Sequence, residues 1–461
     1  MKIHFVGICG KLNAGLAISL RKHGHYVTGS DKAFYPPMSD LLNEAGLPIM
    51  VGYKASHIDE TKPDLVAYGA AINDENVEVI RSKELGIKLL TPTELVEKFV
   101  VKPNSIVISG NYGKTTITGL LVHIFNCLNL NPSYMIGGVV KNIESVVIND
   151  SIWSIIEGDE YPASKNGISK FFYYHPKYLV ITNVSWDHTD VFKSESDYRN
   201  NFINLIKTLD KDGRTILNGN DRNLNNDKEF LTLSLDKDIK CEVLTSKRNN
   251  YDLEFLGNKI RPKIFGRHNY DNISLAISVL ESCFDKEFLE KNSARIINAI
   301  NSFVGVLRRL EIKFSDSKVT VVDDFAHNPE KFEASISAIH EQYSDSKLIL
   351  IIEPNMGNRT KEYFHRYMNV FNNEKIIKIF IPRWRNSQLK DDSIYMDEID
   401  FANGLNNFIK QGIVETQLDD LDLENKLLTL INESTDKLVI LFMGSEPFRG
   451  VINNLVIKLS N

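Results

Sequence analysis

The run Ile106-Val-Ile-Ser-Gly-Asn-Tyr-Gly-Lys-Thr-Thr-Ile117 constrains this chain more than any other segment. Three apolar residues, Ile106 to Ile108, carry a β-type backbone into a glycine turn. A helix-like apolar segment, Ile117 to Leu128, follows. A strand, a turn of backbone N–H groups and a helix N-terminus with its partial positive charge together make a cradle for anions. Lys114 is placed to reach the β- and γ-phosphates of a nucleoside triphosphate, and the Thr115 hydroxyl to hold Mg²⁺. The loop is a shortened form, because Ile108 stands where a full-length version has glycine and the nearest glycine is Gly110. Gly110, Asn111, Gly113, Lys114, Thr115 and Thr116 are therefore the candidate ATP-binding loop. It begins about a hundred residues into the chain, so another folding unit has to occupy the segment before it.

The 461 residues, 43% of them hydrophobic and 25% charged, suit about three globular domains. A net charge of -6 without a long basic run gives no reason to expect a nucleic-acid partner. Cys9, Cys127, Cys241 and Cys283 lie far apart and form no C-x-x-C pair. That spacing speaks against a metal cluster or disulfide framework and fits a reducing compartment. The first residues, Met1-Lys-Ile-His-Phe-Val6, read as a strand without a signal-peptide core, and no apolar run approaches bilayer length. The expectation is a soluble cytoplasmic protein without a membrane partner.

Strands and helices alternate along the whole chain, which predicts an α/β fold with mostly parallel sheets. Residues 1–102 form the first expected domain, Rossmann-like, with strands near Ile3–Val6, Tyr26–Gly29, Leu65–Tyr68 and Lys88–Leu90 and a helix from about Asn13 to His23. Its first turn, Gly7-x-x-Gly10-x-x-x-x-Gly15, resembles a dinucleotide loop but lacks the G-x-G-x-x-G spacing. Asp31, ending the second strand, is where a ribose or base contact is expected. After the polar, proline-broken Val101-Lys-Pro-Asn104, a central ATPase-like domain covers 103–304. It carries strands near Ser154–Ile156 and Tyr178–Thr182, and helices from about Ser194 to Leu209 and Asn269 to Phe284. A C-terminal Rossmann-like domain, 305–461, follows with strands near Glu311–Phe314, Val319–Val322, Leu348–Ile352, Ile376–Ile381 and Leu438–Phe442.

Glu157-Gly-Asp-Glu-Tyr161 directly follows a strand. A carboxylate on the C-terminal edge of a parallel sheet, near a phosphate loop, is where a second Mg²⁺ ligand belongs; a solvated acidic turn is the other reading. Asp187-His188 ends the next strand on the same edge, which makes His188 a metal or phosphate ligand or else a satisfied structural histidine.

Taken together, Lys114-Thr115, Glu157 and His188 resemble the Mur ligase family of cell-wall enzymes, and further motifs follow in the family's order. Phe265-Gly-Arg-His-Asn-Tyr-Asp-Asn272 looks like its G-x-H-N-x-x-N segment, which places Asn269 and Asn272 near the adenine. Phe303-Val-Gly-Val-Leu-Arg-Arg-Leu-Glu311 looks like its hinge, with the ATP arginine falling on Arg309. Val322-Asp-Asp-Phe-Ala-His-Asn-Pro329 resembles the segment in which an aspartate, here Asp324, holds the ribose. The resemblance implies ATP and Mg²⁺ as cofactors, with Thr115, Glu157 and His188 as metal ligands and Lys114, Glu157 and His188 as the catalytic set. Gly7, Cys9, Gly10, Asn13, Asp31 and Ala71 would bind a UDP-sugar.

Within the family, Ile3-His-Phe-Val-Gly-Ile-Cys-Gly10 and Gly29-Ser-Asp-Lys-Ala-Phe-Tyr-Pro-Pro-Met-Ser39 look like the branch that recycles murein tripeptide. That branch joins UDP-N-acetylmuramate to L-alanyl-γ-D-glutamyl-meso-diaminopimelate; its neighbour adds single L-alanine. The implied reaction passes through an acyl phosphate and needs no protein nucleophile. Three segments depart from the family pattern. Tyr112 stands where a smaller polar residue or histidine is usual, with its ring expected to stack or point outward. Ile352-Glu-Pro-Asn-Met-Gly-Asn-Arg-Thr360 and Met443-Gly-Ser-Glu-Pro-Phe-Arg-Gly450 diverge where the incoming peptide is expected to dock. Arg359 reads either as a partner for a peptide carboxylate or as an exposed surface arginine. A binding protein that keeps the fold without ligation is a separate reading, against which the complete ATP–Mg²⁺ set argues. An NAD-dependent oxidoreductase fails on the glycine spacing.

Overall fold

The computed structural model describes residues 1–33, 38–69, 72–163, 167–186, 191–233, 236–246, 253–371, 373–384, 394–409 and 412–460. They form two compact units, Met1–Lys263 with Asn269–Val304, and Ile264–His268 with Gly305–Asn461.

The first unit holds two main sheets. Five parallel strands, β1 (Lys2–Val6), β2 (Tyr26–Asp31), β3 (Ile49–Val51), β4 (Leu65–Tyr68) and β5 (Lys88–Leu90), lie in the order β3-β2-β1-β4-β5. This is a Rossmann-type order with its switch point beside β1, where the chain leaves into the Gly7–Gly10 turn. The central sheet contains β6 (Asn104–Ser109), β7 (Ser133–Met135), β8 (Val146–Val147), β9 (Trp153–Gly158), β10 (Tyr178–Ile181), β11 (Arg214–Asn218) and β12 (Glu242–Ser246). Their order is β12-β11-β10-β6-β9-β7-β8, parallel except at β7–β8. A small hairpin, β13 (Glu254–Phe255) with β14 (Asn258–Lys259), stands apart from it. Strand β6 is buried along Ser105–Ser109, as a strand covered on both faces must be, so it reads as an unbroken apolar run rather than an alternating one.

The two expected N-terminal domains pack as one unit for a physical reason. One apolar cluster runs from Ile3, Leu16 and Leu20 of the first layer to Met135, Val146, Ile156 and Phe202 of the second. The helix Lys11–Lys22, which buries Ala14, Leu16, Ala17 and Leu20, is the seam between them.

The second unit is a six-stranded sheet of β15 (Glu311–Ser315), β16 (Val319–Asp324), β17 (Lys347–Glu353), β18 (Ile376–Pro382), β19 (Val414–Leu418) and β20 (Leu438–Gly444). The order is β15-β16-β20-β17-β18-β19, with only β15 antiparallel to its neighbour. Apolar layers cover both faces, one around Val322, Phe332, Leu350 and Leu441, the other around Val321, Ile351, Phe442 and Leu455. Among the described residues no helix is long and apolar enough to cross a membrane.

Candidate active site

Strand β6 lies between β9 and β10, so the turn that follows it is flanked by the ends of both neighbours. That turn, Gly110 to Gly113, leads into the helix Lys114–Cys127, which starts three residues before the apolar run that announces it in the sequence. Two glycines are dictated by geometry. Gly110 has φ +126°, and a Cβ there would stand 2.2 Å from Thr182 Oγ1. Gly113 caps the helix at φ +85°, and a Cβ would stand 2.5 Å from Asn272 Oδ1. Only glycine combines the left-handed backbone with so close an approach.

The end of β10 clamps the turn from one side. The Thr182 hydroxyl donates to the Tyr112 carbonyl at 2.6 Å, Asn183 Nδ2 donates to the same oxygen at 3.1 Å, and Asn111 N–H donates to Asn183 Oδ1 at 3.0 Å. Tyr112 neither stacks nor points idly outward: its hydroxyl donates to Asp221 Oδ2 at 2.7 Å, and Asp221 in turn caps the helix Arg222–Asn226. Thr182, Asn183 and Asp221 were absent from the sequence-derived site; the Thr-Asn pair closing β10 was the available signal.

The end of β9 supplies the acidic side. The Thr115 hydroxyl donates to Glu157 Oε1 at 3.0 Å, and Gly137 N–H donates to Glu157 Oε2 at 2.7 Å. Glu157 is therefore a held carboxylate on the phosphate loop, not a solvated turn residue. Lys114 Nζ lies 2.7 Å from Glu160 Oε2, a buried carboxylate that also accepts from the Tyr198 hydroxyl at 3.2 Å. Burial pulls the Lys114 ammonium toward neutrality, but Glu160, Asp159 and Glu157 outweigh it and raise its pKa above the ordinary value. Thr115 and Thr116 are buried in the first helical turn. Asn269 and Asn272 are buried on the helix Arg267–Cys283, and Asn272 Nδ2 donates to Asn269 Oδ1 at 3.3 Å. Among the described residues no group of three or more His, Cys, Asp and Glu is arranged to hold a metal ion. A cation here would complete its shell with nucleotide oxygens and water, as Mg²⁺ commonly does.

The glycine turn of the first sheet gathers a second set. Cys9 N–H donates to Asp31 Oδ2 at 2.8 Å, and Lys32 N–H donates to Asp31 Oδ1 at 2.7 Å. Asn13 Nδ2 donates to the Gly7 carbonyl at 2.8 Å, while its buried Oδ1 has no hydrogen-bond partner among the described residues. Burial and the Asp31 charge push the Cys9 thiol up to about 11, which keeps it protonated and unreactive at neutral pH. Gly7, Cys9, Gly10, Asn13 and Asp31 are thus brought together; Ala71 and His188, like Phe34 to Pro37, lie outside the described residues.

In the second unit the two arginines divide their work. Arg308, at φ +56°, donates to the carbonyls of Gly444, Ser445 and Glu446 at 2.7 to 3.1 Å, which ties the divergent 443–450 segment to the sheet. Arg309 lies over the Phe325 ring at 4.9 Å. Asp324 is buried and accepts from Leu310 N–H, Ala326 N–H and the Ser335 hydroxyl at 2.8 to 3.1 Å. Burial raises its pKa against the pull of Arg309 and these donors. Arg359 is not the exposed residue its sequence context allowed. It is buried, stacks 4.1 Å over the Trp384 ring and donates from Nε to the Pro354 carbonyl at 2.9 Å.

Residues 2–101 match the Mur ligase family catalytic domain, 108–280 the Mur ligase middle domain, and 308–445 the Mur ligase glutamate ligase domain. The UDP-N-acetylmuramate–L-alanyl-gamma-D-glutamyl-meso-2,6-diaminoheptandioate ligase of Escherichia coli (strain K12) is 32% identical over 77% of this chain and 79% of its own. A UDP-N-acetylmuramate–L-alanine ligase of Clostridium botulinum (strain Langeland) is 33% identical over 80% of this chain and 81% of its own. In fold, the chain is similar to the crystal structure of the UDP-N-acetylmuramate-alanine ligase of Thermotoga maritima, with TM-score 0.72, 21% identity, and coverage of 100% of this chain and 99% of that one. With three successive domain matches spanning most of its length, and a phosphate loop locked between the ends of β9 and β10, the chain belongs to the Mur ligase family.

Proposed function

We propose that the chain is an ATP-dependent amide ligase that joins UDP-N-acetylmuramate to the murein tripeptide L-Ala-γ-D-Glu-meso-diaminopimelate in peptidoglycan recycling. The observation that carries the reading is the Thr115–Glu157 pair, 3.0 Å apart, which joins the helix after the glycine loop to the end of β9. A hydroxyl and a carboxylate converge there on one point beside a charged lysine. The residues fit a nucleotide with its cation: Gly110 and Gly113 carry no side chain at either end of the loop, and the Thr115 hydroxyl and a Glu157 carboxylate oxygen meet at the start of the helix. When bound, ATP with Mg²⁺ supplies a transferable phosphoryl group and a counter-charge for it.

The chain's own residues bind, orient and neutralise. The lactyl carboxylate attacks the γ-phosphate in line, the bond from the γ-phosphorus to the β–γ bridging oxygen breaks, and ADP leaves to give an acyl phosphate, while Lys114 offsets the negative charge that shifts during the transfer. The peptide amine then attacks the activated carbonyl, and phosphate leaves. No protein nucleophile takes part, so the work is positioning and electrostatics. Asn269, Asn272, Arg309 and Asp324 serve the nucleotide in this reading, and His188 assists the metal. Gly7, Cys9, Gly10, Asn13, Asp31 and Ala71 bind the UDP-sugar. The functional divisions are 1–102 for UDP-sugar, 103–304 for ATP and metal, and 305–461 for the incoming peptide.

A second reading, addition of single L-alanine, has its own support: relatives of that name match this chain as well as those that take the tripeptide. The Gly7-Ile-Cys-Gly10 turn favours the tripeptide branch. The test is phosphate release from ATP–Mg²⁺ with UDP-N-acetylmuramate, comparing L-alanine with the tripeptide. Stimulation by the tripeptide alone is expected. Stimulation by alanine alone moves the protein to the biosynthetic branch, and silence with both overturns the ligation reading.

A further inference from the structure

The helix Lys11–Lys22 starts at the glycine turn of the first sheet and lies against the edge of the second. Its seat is tight. A Cβ on Gly15 would stand 2.8 Å from Ser145 Oγ, and Ile148 N–H donates to the Ser19 hydroxyl at 2.8 Å. Lys22 pairs with Glu144 at 2.6 Å. At the other end, Lys11 is the first residue after the turn, and its ammonium donates to the Gly137 carbonyl. Gly137 is itself the donor that holds Glu157 Oε2, at 2.7 Å, and Glu157 Oε1 accepts from Thr115. The fit allows nothing larger, since a Cβ on Gly137 would stand 2.7 to 2.9 Å from the carboxylate atoms of Glu157. Lys11, Gly137, Glu157 and Thr115 therefore form one continuous line of contacts from the glycine turn to the phosphate loop.

We propose that Lys11 is a positioning residue that couples these two sites. An anion seated on the Gly7–Gly10 turn tightens binding of a nucleoside triphosphate with Mg²⁺ through the Gly137 carbonyl and the Glu157 carboxylate. The proposal rests on reading the turn as the UDP-sugar site. Lys11 is exposed, so holding its long side chain on Gly137 costs rotamer freedom. A diphosphate on the turn, next to that ammonium, confines the side chain. The Gly137 bond then forms at less entropic cost, and Glu157 is fixed before the cation arrives. By linkage, the nucleotide tightens the sugar equally. Nothing in this role touches the reacting atoms.

The test is calorimetric titration of the whole chain with a non-hydrolysable ATP analogue and Mg²⁺, with and without UDP-N-acetylmuramate. It is run on the native protein, Lys11→Met and Lys11→Arg. In the native protein the sugar nucleotide is expected to tighten the analogue by roughly tenfold. In Lys11→Met the analogue alone should bind within about threefold of native, while the coupling factor falls to about one; Lys11→Arg should keep it. Undiminished coupling in Lys11→Met overturns the proposal, as does an absence of coupling in the native protein. So does a loss of sugar affinity alone with coupling intact, which makes Lys11 a simple ligand. Failure of the native protein to bind UDP-N-acetylmuramate is a separate result that overturns the UDP-sugar reading itself.

Discussion

The Lys114 ammonium lies 2.7 Å from the Glu160 carboxylate, with the two side chains 15% and 1% exposed. A carboxylate so deeply buried is tolerable only because it is paired, and the lysine is held charged in return. Because the folded-state pKa of Lys114 is raised above its ordinary 10.5, the pair's stabilisation is complete below that value and is lost as pH rises beyond it. Glu160→Gln removes the strongest upward pull on Lys114 and leaves burial opposing its charge. At pH 8 the variant should lose about 3 kcal/mol of stability in urea denaturation, the usual scale for breaking a buried pair from one side. An unchanged midpoint would mean the pair contributes nothing to folding.

Lys114→Ala separates the two proposed ligand sites. The substitution removes the only lysine of the phosphate loop and leaves the Cys9–Asp31 arrangement of the first sheet untouched. ATP turnover should fall by at least about 10²-fold, the scale of losing one charge-stabilising group in a water-poor site. Affinity for UDP-N-acetylmuramate should stay near native in direct titration. Loss of sugar binding in a folded variant would count against the assignment of the turn.

Gly113→Ala tests the loop's geometry against a built-in control. Position 113 combines φ +85° with an oxygen of buried Asn272 only 2.5 Å from the new Cβ, whereas Gly86 has φ +63° and open space around it. Alanine at 86 should cost only the left-handed backbone term, about 1–2 kcal/mol. Alanine at 113 should cost measurably more and weaken nucleotide binding, because Asn272 and the loop N–H groups must shift. Equal losses at the two positions would mean that the Asn272 contact gives way freely.

What the sequence made legible follows from the range of the interactions involved. Strands such as β6, β10, β17 and β20 were readable to within a residue or two, because parallel strands buried on both faces are unbroken apolar runs. The phosphate loop was readable because its chemistry is written in consecutive residues. The start of its helix was misjudged by three residues: Lys114, Thr115 and Thr116 are polar and interrupt the apolar pattern while their backbone is already helical. The partners of the loop were not legible. Thr182 and Asn183 lie about seventy residues from Tyr112, Asp221 lies 109 away, and Glu160 pairs with Lys114 across 46. Such pairings depend on strand order, which puts β6 between β9 and β10 and which no local pattern encodes. The burial of Arg359 against Trp384 was hidden for the same reason.

His268 gives the second unit a predictable acid sensitivity. Burial, with the Arg309 charge beside it, lowers its pKa from 6.5 to about 4. The folded protein therefore refuses a proton that the unfolded chain accepts, and stability is present above pH 6.5 and declines as pH falls toward 4. The residue as a whole is only half-buried, so the loss should be roughly 1–2 kcal/mol, short of the full value of such a shift. Other carboxyl groups titrate in the same window, and the informative quantity is the difference between native and His268→Gln. Denaturant midpoints at pH 7 and pH 4.5 should show the native protein losing more stability on acidification than the glutamine variant. Parallel losses would mean that His268 is protonated in the folded state as readily as in the unfolded one.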